Sequence, residues 1–178
     1  MKIIFVGAQG TGKSTILNYY KERGYNCITE VVRNLSKEGV KINEKGNIKG
    51  QKIIFNTYKD LFSKNDNYIS DRGLIDVCAY TGYLHCRKQS VQTEKLFTNQ
   101  YMDILEFNEN NSDVKYFYFP IEFQVVDDGV RSVDEDYRRE IDGYIKLILD
   151  KTNVDYITVS GSIEDRIKIV NDYISSQN

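Results

Sequence analysis

Four groups of residues in this 178-residue chain have the types and spacing to do chemistry. The first is Gly7-Ala8-Gln9-Gly10-Thr11-Gly12-Lys13-Ser14: a glycine, four residues, then Gly-Lys-Ser, the spacing of a phosphate-binding P-loop. Its glycines let the backbone turn back and aim several N–H groups into one concavity. That concavity meets the amino end of the following helix, which is already partly positive. Lys13 then reaches the β- and γ-phosphates of a nucleotide, and the Ser14 hydroxyl is placed to hold Mg²⁺. The residues expected to touch nucleotide are Gly7, Gln9, Gly10, Thr11, Gly12, Lys13, Ser14 and Thr15.

The second group is Thr29-Glu30-Val31-Val32-Arg33, which sets a carboxylate and a guanidinium one helical turn apart, just past a short strand. Glu30 there can orient or deprotonate an attacking hydroxyl, and Arg33 can clamp an anionic part of the acceptor. The plainer alternative is an acid at a helix amino end in an i, i+3 surface pair. Third, Asp71 ends a strand and is followed by Arg72, Gly73 and Asp76. A second Mg²⁺-directed carboxylate belongs at Asp71, which also competes with Glu30 for the role of base. Arg72 can bind substrate and neutralise phosphate charge as it moves. Otherwise Asp71 caps a helix starting near Leu74 and Arg72 pairs with Asp76. The fourth group spans 126–139, where Gly129 precedes Arg131, Arg138 and Arg139. It is expected to form a lid in which Arg131 meets transferring phosphate, or else a charged connection paired within itself.

The elements that position these groups alternate. Ile3 to Val6 is a buried strand, and Ile16, Leu17 and Tyr20 recur at helical spacing up to Gly24. Tyr25 to Thr29 can form a second strand, while 39–50 has the composition of a flexible loop. Helical period returns over Gln51–Ser63 and Val91–Phe107, and a helix runs from Tyr137 through Leu149. Strands are expected at Asn67–Asp71, Val114–Phe119 and Asp155–Val159, and Ser162 caps a last helix. Strand-helix alternation with no repeat or linker argues one α/β domain over 1–178, a parallel sheet with helices on both faces.

Composition bounds the rest. Apolar residues make up 40 %, charged residues 28 %, and net charge is −2, so no gross basic excess advertises nucleic acid. No apolar run nears the roughly 18 residues of a membrane span, and nothing resembles a signal peptide, so a cytoplasmic location is expected. Cys27, Cys78 and Cys86 lack zinc-site spacing and read as reduced thiols, and the lone His85 as a surface or capping residue.

Taken together, the P-loop, Thr29-Glu30 with Arg33, Ser70-Asp71-Arg72-Gly73 with Asp76 and Tyr80, and Asp128-Gly129-Val130-Arg131 resemble a known family. It is the small P-loop kinase family that includes the ribosylnicotinamide kinase domain of bacterial NAD-salvage regulators. The resemblance implies a P-loop NTPase fold, three α/β/α layers around a five-stranded parallel sheet. It implies ATP with Mg²⁺, and phosphoryl transfer to a nucleoside, nucleotide or nucleoside-like acceptor. Members also resemble deoxynucleoside kinases, and phage relatives act on modified bases in DNA, so the acceptor stays open. A kinase acting on DNA or RNA, with Lys41, Lys45 and Lys49 as a basic track, is one alternative. A nucleotide-hydrolysing regulatory module is another.

Overall fold

In a computed structural model, which describes residues 1–124 and 134–177, the apolar run near the amino end becomes the middle strand of a sheet. The elements are β1 (Lys2–Val6), α1 (Lys13–Lys21), β2 (Cys27–Ile28), α2 (Val31–Lys37), α3 (Ile48–Ser63), β3 (Tyr68–Asp71) and α4 (Leu74–Lys88). After them come α5 (Val91–Asn110), β4 (Val114–Tyr118), α6 (Glu135–Thr152), β5 (Tyr156–Thr158) and α7 (Ile163–Ser176). Five parallel strands lie in the order β2-β3-β1-β4-β5. This is the expected three-layer P-loop fold.

Strand β1 is buried on both faces, and its period of two divides the core. Ile4 and Val6 join Phe55 and Tyr58 of α3, Leu74 and Ile75 of α4, and Ile141 and Ile145 of α6. Ile3 and Phe5 point the other way, onto Ile16, Leu17 and Tyr20 of α1 and Val170 and Ile174 of α7. Register sets Phe5 beside Asp71 and Val6 beside Tyr118, so β1, β3 and β4 release their chains at one edge. In an open parallel sheet that carboxyl edge is where ligands collect.

Several boundaries differ from expectation. Strand β2 is two residues long: past its carboxyl end Glu30 turns left-handed at φ 59°, and before its amino end the Tyr25 N–H is held by the Tyr20 carbonyl of α1 at 3.2 Å. Helix α3 begins at Ile48 rather than Gln51: Asn47 caps it by accepting the Gly50 N–H at 2.8 Å. A 3-10 turn over Asn43–Lys45 precedes it, so much of 39–50 has regular structure. His85 sits in the last turn of α4, with its Nδ1 3.1 Å from the Thr93 hydroxyl. Among the described residues no helix is long and apolar enough to cross a membrane.

Ile4 is fully buried at the heart of the larger core, so Ile4→Ala is expected to destabilise the fold by about 2–5 kcal/mol. Denaturant unfolding checks this as a lower midpoint with an unchanged slope.

Candidate active site

The loop between β1 and α1 closes back under the sheet edge. A side chain at Gly7 is impossible, since a Cβ there would stand 2.5 Å from the Phe119 carbonyl oxygen. Gly12 adopts φ 88° as the residue before α1, a left-handed geometry that glycine takes without strain. Lys13 is almost wholly buried. Its Nζ donates to the Gly7 and Ala8 carbonyls at 2.6 and 2.7 Å and to the Thr11 hydroxyl at 3.1 Å. The lysine therefore lies folded along its own loop.

Gln9 to Thr15 of this loop, Glu30, Arg33, Tyr58, Asp71 and Arg72 line one cleft enclosing about 760 Å³, its open mouth included. Gly7 does not line it: its N–H donates to Asp76 Oδ1 at 3.1 Å, away from the cleft. Arg131 lies outside the described residues, as does most of the segment read as a lid.

The closest link between distant parts of the site is Ser14 Oγ donating to Asp71 Oδ2 at 2.5 Å. Asp71 thus faces the P-loop and does not cap α4. Its other oxygen, Oδ1, is buried with no hydrogen-bond partner among the described residues. A hydroxyl and a carboxylate in contact, with a spare buried oxygen, suit a hard divalent cation that keeps several of its waters. These donors fit Mg²⁺. No cluster of three or more acidic, histidine or cysteine ligands occurs among the described residues, so one such cation would draw its remaining ligands from phosphate and water.

Backbone strain gathers at the same cleft. Among the described residues five non-glycines have positive φ, and three of them, Glu30 (59°), Asn43 (53°) and Arg72 (85°), line it. Such conformations persist only where surrounding contacts hold them. For Arg72 those contacts are its N–H on the Phe5 carbonyl at 3.0 Å, its carbonyl on the Ser70 hydroxyl at 2.7 Å, and its Nη1 on the Tyr80 hydroxyl at 3.1 Å. Burial works hardest against its charge, yet Tyr80, Asp76, Asp71 and Tyr58 together outweigh burial and hold the guanidinium pKa above its ordinary value. Glu30 and Arg33 form an ion pair at 3.0 Å with both side chains partly in water. A pair that exposed contributes little to stability and can exchange for a ligand.

Three neighbours carry weight that sequence pattern does not reveal. Asp76, fully buried in the first turn of α4, accepts from Gly7 N–H at 3.1 Å and Gly73 N–H at 2.9 Å, tying the P-loop to the Arg72 turn. Arg138 and Arg166, both buried, reach the loop from α6 and α7. Arg138 Nε donates to the Gln9 carbonyl at 2.7 Å and Nη2 to the Gly10 carbonyl at 3.2 Å. Arg166 Nη1 donates to the Thr11 carbonyl at 2.6 Å. Arg138 falls inside the expected lid, but its side chain is buried against the loop carbonyls and does not line the cleft, so it supports the loop instead of closing over it. A buried arginine in a helical stripe has no sequence signature apart from its place among apolar neighbours.

Beside the main cleft lies a second pocket of about 360 Å³, its open mouth included, lined by Val32, Ile42, Ile54, Val77 and Tyr80 together with the polar Asn43, Gln51, Arg72 and Asp76. Gln51 is buried, and its Oε1 has no partner among the described residues.

Asp76 makes stability depend on pH. Burial pushes its carboxyl above the ordinary range, and Lys13, Arg72 and the two backbone N–H donors offset this only in part. Between the unfolded pKa, near about 4, and the raised folded value the native state binds more protons, so stability falls as pH rises through that window. The Asp76 contribution is therefore complete below the unfolded pKa and lost above the folded one. Melting temperatures of wild type and Asp76→Asn across this window check the sign: the wild type should lose ground relative to the variant as pH rises.

This architecture has counterparts among solved structures. Deoxyadenosine kinase from M. mycoides with the products dCMP and a flexible dCDP is 19 % identical, with a TM-score of 0.68 and all of both chains covered. The same enzyme with dCTP gives 0.65 at 19 % identity, over 99 % of this chain and all of that one. Shikimate kinase from Aquifex aeolicus gives 0.56 at 20 % identity, over 99 % of this chain and 98 % of that one. At such identity the likeness establishes a shared P-loop kinase fold. No curated protein sequence matches significantly. A family model described as an AAA domain matches residues 2–166, a span that takes in the P-loop, both strand-end acids and the arginine on α7. A match of that extent reaches far beyond the phosphate loop, and the chain belongs to this AAA domain family.

Proposed function

We propose that the protein, acting as a single domain, is an ATP- and Mg²⁺-dependent kinase that phosphorylates a nucleoside, nucleotide or nucleoside-like acceptor. The observation that carries this reading is the 2.5 Å contact between Ser14 and Asp71, with the second Asp71 oxygen buried and without a hydrogen-bond partner among the described residues, beside the loop where a metal-nucleotide would sit. Bound ATP and Mg²⁺ supply the phosphoryl group and most of the charge neutralisation. In this reading Lys13 leaves the Gly7 and Ala8 carbonyls for the β- and γ-phosphates, and Ser14 and Asp71 hold the metal. Glu30 takes the proton of the acceptor hydroxyl as the new O–P bond forms and the bond to the β-phosphate oxygen breaks. Arg33 binds the acceptor, and Arg72, held charged by its surroundings, neutralises the migrating group.

The second pocket supports a planar, mostly apolar acceptor with a polar edge. Aliphatic and aromatic side chains share its walls with Asn43, Gln51, Arg72 and Asp76, and Gln51 Oε1 is the buried side-chain atom of that lining without a hydrogen-bond partner among the described residues. An orphaned amide oxygen is costly unless a ligand donates to it. The nucleotides bound by the structurally similar deoxyadenosine kinase support the same acceptor class.

A polynucleotide acceptor is favoured by one feature. Lys41, Lys45 and Lys49 are exposed on the segment whose Ile42 and Asn43 line the cleft. Steeply salt-dependent DNA binding is the mark of that reading.

Labelled ATP offered with nucleosides, nucleoside monophosphates, ribosylnicotinamide and hydroxyl-bearing DNA separates the possibilities. Label is expected on a nucleoside-like acceptor, and label recovered only as free phosphate in every tube would sink the kinase reading. Lys13→Ala should abolish transfer. Glu30→Gln should lower kcat by about 10²–10⁴ with little change in ATP affinity. Gln51→Leu should raise KM for the acceptor about tenfold while leaving KM for ATP unchanged.

A further inference from the structure

From Gly7 to Thr11 each P-loop carbonyl meets a cation, and those of Gln9, Gly10 and Thr11 meet arginines that do not line the cleft. Gly7 and Ala8 are held by Lys13, Gln9 and Gly10 by Arg138, and Thr11 by Arg166. In a planar trans peptide the N–H lies opposite the C=O. Fixing the carbonyls of residues 9, 10 and 11 on the outside therefore fixes the N–H groups of Gly10, Thr11 and Gly12 toward the inside of the loop. A cation on the oxygen also polarises the peptide and strengthens its N–H as a donor.

The two arginines are anchored independently of the loop. Arg138 Nη1 is paired with Glu135 at 2.9 Å. Arg166 is paired with Glu122, donates from Nε to the Gly161 carbonyl at 2.9 Å, and stacks 4.7 Å from the Phe123 ring. Lys13 differs, because the proposed reaction calls it away to the phosphates. Once it leaves, the Gly7 carbonyl loses that donor while Ala8 keeps the Thr11 hydroxyl at 3.0 Å, and the cationic support of the loop rests on Arg138 and Arg166.

We infer that Arg138 and Arg166 are positioning residues that hold the P-loop amides in register for a triphosphate, and that their effect grows when nucleotide binds. This rests on the nucleotide-binding part of the kinase reading above. A purely structural arginine would lower the melting temperature equally with and without nucleotide. A positioning arginine lowers the stabilisation that nucleotide confers.

The experiment measures calorimetric Kd for Mg-ATP and for inorganic triphosphate, and the thermal shift each produces, in the full chain and in Arg138→Met, Arg138→Lys and Arg166→Lys. The expected result is an affinity for both ligands about tenfold weaker in Arg138→Met, with a smaller thermal shift. The lysine variants, which keep a charge but cannot reach every carbonyl, should fall between it and wild type. If Arg138→Met does not fold, the two lysine variants carry the test by the same intermediate loss. Variants that bind within about twofold of wild type, or that lower the nucleotide-free melting temperature with an undiminished thermal shift, overturn the inference. So does an Arg138→Lys as weak as Arg138→Met, since charge would then be irrelevant. Wild type that binds Mg-ATP but phosphorylates no acceptor overturns the kinase reading and leaves this inference standing. Wild type that binds neither ligand removes both.

Discussion

A backbone that curls tightly enough to present a row of N–H groups to one side must turn its carbonyls to the other, and buried carbonyls need donors. The fold is arranged to supply them. Helices α6 and α7, remote in sequence from the loop and on opposite faces of the sheet, each deliver one buried arginine to its outer side. Burying a guanidinium is costly unless its charge is paired. Glu135 and Glu122 provide that pairing, at positions where each acid also keeps partial access to water.

The same constraint explains Asp76. The Gly7 N–H, at the entrance to the loop, needs an acceptor, and the first turn of α4 provides a fully buried carboxylate. Because that carboxylate also takes the Gly73 N–H, the phosphate loop and the strained Arg72 turn share one support. Positive φ at Glu30, Asn43 and Arg72 lies along the wall of one cleft: Glu30 and Arg72 turn the chain where it leaves β2 and β3, and Asn43 opens the 3-10 turn before α3.

Much of this was legible in the residues themselves. The P-loop spacing, the alternation of strand and helix, and the places of Glu30 and Asp71 at strand ends all follow from local pattern, because hydrophobic period and glycine placement are local properties. Other expectations went astray for equally physical reasons, two of which are instructive. The early start of α3 depends on a single Asn47 cap that composition obscures among glycines and lysines. Arg138 looked like part of a mobile charged segment because its neighbours in sequence are acidic, whereas its neighbours in space are loop carbonyls.

The class of fold, the phosphate-binding loop and the identity of the acids near it follow from residue order alone, since spacing along the chain decides which backbone turns and which side chain follows a strand. Packing in three dimensions is what brings Ser14 to Asp71, sets Gln51 in the lining of the second pocket with an oxygen that has no partner among the described residues, and stands Arg138 and Arg166 behind the loop. Those contacts join residues separated by tens to more than a hundred positions. Their existence depends on how helices pack over both faces of the sheet, a property that no local pattern records.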